Sequence, residues 1–128
     1  MSLDLKYLLF SVLLTFVQVL IAAAAANQHV GLPTLAGNRE GMPELTGFSG
    51  RARRAHLNMV ENMVLFTALV LVAAVAGKAN TMTAMGALIF FWARLVYAVI
   101  YLLGIPWLRT LAWFVSVIGM VIIALQLI

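Results

Sequence analysis

Four long apolar segments, separated by polar or helix-breaking residues, dominate the pattern along the chain. They cover about residues 5–26, 52–76, 81–103 and 107–128. A helix rises about 1.5 Å per residue, so about twenty residues cross the hydrocarbon core of a bilayer. Backbone groups in lipid must be hydrogen-bonded within the segment, so each segment is predicted to be a transmembrane helix. The predicted fold class is therefore all-α: one four-helix membrane domain over residues 1–128.

The connections differ in length. Gly77–Asn80 and Gly104–Pro106 form short turns, and proline suits the first turn of the last helix. Residues 27–50 are the long connection; they include two prolines and five glycines and are predicted to form an ordered polar loop. Ala22–Ala26 resembles the cleavage site of a signal peptide. The first apolar segment is nevertheless longer than the 7–15-residue apolar core of a signal peptide, so we expect it to be retained as a membrane helix.

Composition supports a membrane protein and limits its chemistry. Of 128 residues, 65% are hydrophobic and 9% charged, whereas soluble domains have about 45–50% and about 25%. The net charge is +4, but no basic face with interleaved aromatic residues exists, so we expect no nucleic-acid partner. There is no cysteine, and the two histidines lack metal-ligand spacing, so we expect neither a disulfide nor a metal site.

The distribution of basic residues predicts the orientation in the membrane. Five arginines lie on the side of the long loop, whereas Lys6 and Lys78 lie on the opposite side; the five are Arg39, Arg51, Arg53, Arg54 and Arg109. Cytoplasmic loops carry the excess of Lys and Arg, so loop 27–50 is predicted to be cytoplasmic, with both chain ends outside.

Polar residues recur on one face of the second predicted helix. Arg51, Arg54, Asn58 and Glu61 are spaced by three, four and three residues, which places them on one side of a helix. Glu61 lies about 15 Å inside the membrane, where an ionisable group costs about 2.5–3.5 kcal/mol. Such a residue is expected to face the bundle interior or a wet cavity.

The third helix carries a matching face. Arg94, Tyr97 and Tyr101 are spaced by three and four residues, and this helix is antiparallel to the second. Matching residues by depth predicts a buried Glu61–Arg94 ion pair, with Asn58 beside Tyr97 and Arg54 beside Tyr101. The ion pair by itself is explained equally well as a device that sets helix register. The surplus arginine instead favours a site for a carboxylate ligand, because arginine binds carboxylates bidentately.

These residues resemble the MAPEG family, the membrane-associated proteins in eicosanoid and glutathione metabolism. The resemblance rests on three matches: Arg54-Ala-His-Leu-Asn58-Met-Val-Glu61, then Arg94-Leu-Val-Tyr97-Ala-Val-Ile-Tyr101, then Pro106 with Arg109. It implies a homotrimer of four-helix protomers with glutathione, a co-substrate, bound between subunits near the cytoplasmic side.

The resemblance also implies roles for individual residues. Arg54 would bind a glutathione carboxylate, His56 would reach the neighbouring subunit's site, and Arg109 would be the catalytic residue that holds the thiol as thiolate. The other glutathione-binding positions would be Asn58, Glu61, Tyr97 and Tyr101. A fixed cation favours the thiolate because a free thiol has a pKa of about 8.5.

Two departures from the family pattern bear on function. The family's enzymes tend to have an arginine just after the first helix, where this chain has Ala22–Ala26, Asn27 and Gln28; Leu57 also replaces an arginine of the prostaglandin synthase. The family includes a non-catalytic, arachidonate-presenting protein, so a lipid- or ligand-binding protein of the same fold is an alternative. A small multidrug transporter is a weaker alternative, because such transporters carry a glutamate in the first helix and the first helix of this chain has none.

The leading hypothesis is a glutathione-dependent transferase or peroxidase that acts on lipophilic electrophiles from the bilayer. We expect a multi-pass protein of a bacterial inner membrane, in contact with lipid and lipophilic small molecules, with its site facing the cytoplasm.

Overall fold

The computed structural model describes all residues, Met1–Ile128, and consists of five helices. They are α1 (Leu3–Val30), α2 (Leu32–Ala36), α3 (Gly47–Val75), α4 (Thr81–Leu103) and α5 (Pro106–Leu127). Helix accounts for 84% of the residues and no strand is present, which confirms the predicted all-α class. All of these helices except the short α2 are long and apolar enough to cross a membrane.

The helices run up and down, which gives the bundle two distinct ends. We call the end that carries residues 31–46 the loop end, and the end that carries both chain termini the terminal end. The most extensive contacts join α4 to α5 and α1 to α3. The turns between α3 and α4 and between α4 and α5 are short, which makes these consecutive helices antiparallel. The contacts of α1 with α3 are instead made across the longer 31–46 segment.

The long connection is shorter than the sequence predicted. Helix α1 continues from Ala26 through Asn27 to Val30, and α3 begins at Gly47 rather than at Ala52. Hydropathy marks where the chain leaves the apolar layer, but a helix can continue into the polar region. Gly31 ends α1 with a φ of +86°, a value that favours glycine.

A hydrogen-bonded clasp joins α1 to α3 at the loop end. The Oγ of Ser49 donates to the carbonyl oxygen of Thr46 at 2.9 Å and lies 2.6 Å from Nδ1 of His29. Ser49 is buried, whereas His29 is exposed at the last turn of α1. The clasp holds the two ends of the 31–46 segment together.

The apolar core lies in the terminal half of the bundle. The rings of Phe66 and Phe90 stack with centroids 3.8 Å apart, and both side chains are fully buried. Helices α4 and α5 cross closely at Gly86 and Gly119, where a Cβ on Gly119 would lie 2.6 Å from the carbonyl oxygen of Gly86. Small residues allow such close backbone approach between membrane helices.

Polar groups at the terminal end are paired with one another. Thr83 donates to the buried carboxylate of Asp4 at 3.1 Å and forms a capping box with Asn80 at the start of α4. Asn80 also donates to the side chain of Gln126, and Lys78 donates to the carbonyl oxygen of Leu127. These contacts hold the ends of α1, α4 and α5 in register.

Candidate functional site

Three arginines and two tyrosines meet where α3, α4 and α5 approach the loop end. Nε of Arg54 donates to the hydroxyl of Tyr101 at 3.2 Å, the contact that depth matching predicted. The guanidinium of Arg109 lies 4.4 Å from the centroid of the same ring. Tyr101 therefore lies between two cations, and a cation over the face of a ring is attracted by its quadrupole.

The second tyrosine accompanies the buried arginine. Tyr97 packs edge-on against Tyr101 with ring centroids 5.6 Å apart, and Arg94 lies 4.2 Å from the centroid of Tyr97. Arg94 is 1% exposed, and both tyrosines are buried. Tyr97 and Tyr101 also pack with Ala55 and Ala112, so the aromatic rings join α3, α4 and α5.

The predicted Glu61–Arg94 ion pair is wrong for this protomer. Nη2 of Arg94 donates to Oδ1 of Asn58 at 2.8 Å, while its Nε and Nη1 have no partner. Glu61 is exposed on the outside of the bundle. Glu61 and Arg94 lie at a similar depth along the bundle axis. Asn58, however, lies one turn closer to the loop end on the side of α3 that faces α4, so Asn58 contacts Arg94 in place of Glu61. Asn58 consequently pairs with Arg94 rather than with Tyr97.

Asn62 is a member of this polar group that the sequence analysis missed. It is buried, and its Nδ2 donates to the backbone oxygen of Asn58 at 2.8 Å and lies 3.3 Å from Oδ1 of Asn58. The sequence does indicate that Asn62 belongs to this group, because it follows Asn58 by four residues and residues at that spacing lie on the same helix face. Asn62 orients the amide that receives Arg94.

We call Arg54, Asn58, Arg94, Tyr97, Tyr101 and Arg109 the arginine–tyrosine cluster. It contains three permanent positive charges and no acidic residue. Glu61, which the sequence analysis placed in the site, is exposed beside the cluster. Arg54 is exposed and Arg109 is half-buried, so part of this charge is accessible from the loop end. Chemically, the cluster can bind an anion with carboxylate groups and can favour the ionised form of a nearby thiol.

His56 lies outside the cluster, because it follows Arg54 by two residues and a helix turns about 100° per residue. It is partly buried and lines a cleft of about 610 Å³ between α1, the 31–46 segment and α3, which we call the α1–α3 cleft. Arg54 touches both regions, because its side chain also lines this cleft. The predicted site residues therefore fall into two neighbouring groups.

Comparison with known protein families gives one match. The MAPEG family model matches residues 5–128, essentially the whole chain. This chain belongs to the MAPEG family. Together with its four apolar helices, membership shows an integral multi-pass membrane protein. No curated protein and no solved structure matches the chain. MAPEG proteins include glutathione transferases and related proteins, so membership by itself leaves several activities open.

Proposed function

We propose that this MAPEG protein is a glutathione-dependent transferase or peroxidase that acts on lipophilic electrophiles. The supporting observation is the surplus of positive charge in the arginine–tyrosine cluster, at the loop end of a membrane bundle. Glutathione carries two carboxylates, and guanidinium groups bind carboxylates bidentately. Electrophiles dissolved in the bilayer would reach the cluster from the apolar side.

In this proposal Arg54 and Arg109 have different tasks. Arg54 is exposed and oriented by the hydroxyl of Tyr101, which suits recognition of a carboxylate. Arg109 is half-buried, lies over the ring of Tyr101, and stands in the first turn of α5. That turn adds unpaired N–H groups and a partial positive charge. Arg109 would thus favour loss of the thiol proton, and the bound thiolate supplies the nucleophile.

Glu61 supports a homotrimer with the site between subunits. An exposed carboxylate about halfway across a bilayer is costly, unless a neighbouring protein surface or water covers it. Glu61 lies on a face of α3 with exposed apolar side chains on either side, including Leu57, Val64 and Leu65. A second copy packed on this face would cover Glu61 and bring its own polar groups to the edge of the cluster.

The proposal is tested by two variants, one expected to change mainly the affinity for glutathione and the other mainly the turnover rate. Arg54→Ala should raise the dissociation constant for glutathione, measured by calorimetric titration, while saturated turnover changes less. Arg109→Ala should lower turnover far more than affinity. Arg53→Ala is the matched control, because this exposed neighbour of Arg54 lies outside the cluster. Equal loss of affinity in the Arg53 and Arg54 variants would contradict a specific carboxylate contact.

One observation favours a second candidate, a non-catalytic binding protein of the same fold. The last turns of α1 present Ala22–Ala26, Asn27 and Gln28 and no arginine. Thiolate absorbance near neutral pH distinguishes the two candidates. An enzyme should show it on addition of glutathione and lose it in Arg109→Ala. Binding of glutathione without any thiolate signal in the wild-type protein would favour the non-catalytic candidate.

A further inference from the structure

Arg51 is a member of the polar face of α3 that has no part in the proposed glutathione chemistry. It lies near the start of α3, three residues before Arg54, and its side chain is half-buried. Its Nε donates to the carbonyl oxygen of Leu102 at 3.2 Å, a contact between residues 51 positions apart. The hydrogen bond joins the beginning of α3 to the end of α4, which lie side by side because the two helices are antiparallel.

The acceptor is a carbonyl group that α4 itself leaves unpaired. The carbonyl groups in the last turn of a helix have no partner within the helix. Gly104 ends α4 with a φ of +80°, and the N–H groups after this bend pair with the two carbonyl groups before that of Leu102. A continuing helix would pair Leu102 with residue 106, but Pro106 has no N–H. Arg51 supplies the missing donor, and its charge suits the C-terminal end of a helix.

The stem of the same side chain covers the turn that follows. A Cβ built on Gly104 would lie 3.6 Å from both Cδ and Nε of Arg51, so the arginine packs along the glycine. Only Gly104 and Ile105 separate α4 from Pro106, which begins α5 with a fixed φ. Because the connection is so short, the direction in which α5 leaves α4 depends on the backbone at Gly104.

This turn connects two members of the arginine–tyrosine cluster. Tyr101 directly precedes Leu102, and Arg109 lies in the first turn of α5, three residues after Pro106. The guanidinium of Arg109 lies 4.4 Å from the centroid of the Tyr101 ring. A change in the backbone of the turn therefore moves the cation relative to the ring.

We propose that Arg51 is a positioning residue for Arg109. By holding the carbonyl oxygen of Leu102, it fixes the turn between α4 and α5 and thereby keeps Arg109 over Tyr101. The donor at Nε carries this role, and the positive charge does not. The catalytic consequence rests on the proposed function, since the position of Arg109 affects turnover only when Arg109 stabilises a thiolate. The structural part does not depend on glutathione.

Two substitutions of Arg51 separate its hydrogen bond from its charge. Arg51→Gln places an amide nitrogen the same number of bonds from Cα as Nε, so it keeps the donor and removes the charge. Arg51→Met keeps a stem of similar length and removes both. Arg53→Met is the matched control, because Arg53 is an exposed neighbour that forms no hydrogen bond to α4.

Nuclear magnetic resonance of carbon-13-labelled tyrosine reports the position of Arg109 without any ligand. The chain has three tyrosines, so Tyr101→Phe assigns the Tyr101 ring, and Arg109→Ala gives its resonance without the cation. Arg51→Met should move the resonance towards the value in Arg109→Ala. Arg51→Gln and Arg53→Met should leave it at the wild-type value. An unchanged resonance in Arg51→Met, or the same change in Arg51→Gln, would overturn the proposal.

Turnover and glutathione titration test the catalytic consequence. Turnover of Arg51→Met at saturating glutathione should fall about ten- to a hundredfold, because displacing a catalytic group by about 1 Å has effects of this size. Its thiolate absorbance should appear at higher pH, while the dissociation constant changes much less. Arg51→Gln should restore both turnover and the thiolate signal.

The two measurements distinguish failure of this proposal from failure of the proposed function. If the Tyr101 resonance behaves as expected but the wild-type protein forms no thiolate, the contact of Arg51 stands and the proposed function fails. If the wild-type protein forms the thiolate and Arg51→Met forms it equally well with full turnover, the positioning role is refuted and the proposed function stands.

Discussion

The two ends of the bundle use polar residues in opposite ways. At the terminal end, Asp4, Thr83 and Asn80 satisfy one another, and the adjoining core is closely packed. In the loop-end half, Arg94 retains two buried nitrogens without a partner, and the Oε1 of buried Gln18 is also unpaired, whereas the terminal half has one such atom, the Oγ of Ser11. Buried polar groups are normally hydrogen-bonded, so unpaired ones mark a place where stability is not the main constraint. The terminal half fixes the fold, and the loop-end half leaves donors and positive charge unpaired, as the proposed glutathione site requires.

The largest effect should come from the stacked rings of the terminal half. Phe90→Ala removes a fully buried ring that stacks on Phe66, and it should lower the free energy of unfolding by about 3–5 kcal/mol. Phe16→Ala, at a position 60% exposed on α1, is the control and should cost much less. Denaturant unfolding in detergent measures both. Similar costs at the two positions would contradict a packed core in this half.

The close crossing of α4 and α5 should give the next largest effect. Gly119→Ala would place a Cβ 2.6 Å from the carbonyl oxygen of Gly86 and 2.9 Å from the backbone nitrogen of Phe90. Backbone atoms cannot move aside individually, so the helices must separate, at a cost of about 1–3 kcal/mol. Gly37→Ala provides the control, because its nearest contact would be 3.4 Å. A melting temperature unchanged in Gly119→Ala would disprove the close crossing.

The polar contact at the terminal end should contribute less. Thr83→Val removes the hydroxyl that donates to Asp4 and accepts from the backbone of Asn80, and should cost about 1–2 kcal/mol. Thr81→Val, an exposed position in the same turn, should be nearly neutral. Hydrogen exchange of the first turn of α4 should accelerate in Thr83→Val only. The same exchange rate in both variants would show that the contact does not hold this end.

The smallest effect on stability is expected in the loop-end half, at its most buried arginine. Arg94→Met loses one hydrogen bond to Asn58 but removes two unpaired buried donors, so stability should change by less than about 1 kcal/mol. Under the proposed function, affinity for glutathione should nevertheless fall, because the cluster loses a cation. A loss of stability of about 3 kcal/mol or more would instead show that Arg94 has a charged partner in the assembled protein.

Hydropathy and spacing predicted the architecture well and the pairing of side chains only in part. The number of membrane helices and the Arg54–Tyr101 contact were predicted, because segment length and depth follow directly from the rise per residue. The Glu61–Arg94 pair was wrong because depth fixes height but not rotation about the axis. The Asp4–Thr83 contact joins residues 79 positions apart, and no local pattern indicates it.

The clasp at the loop end couples one hydroxyl to the tautomer of one imidazole ring. The hydroxyl of Ser49 has a single hydrogen and two acceptors within reach, the carbonyl oxygen of Thr46 and Nδ1 of His29. When the hydrogen goes to Thr46, Nδ1 of a neutral His29 donates to Oγ of Ser49, and the lone pair of the ring is on Nε2, in an exposed ring at the end of α1. When the hydrogen goes to Nδ1, the ring carries its own hydrogen on Nε2. Nitrogen-15 chemical shifts of the two ring nitrogens would distinguish the two arrangements directly.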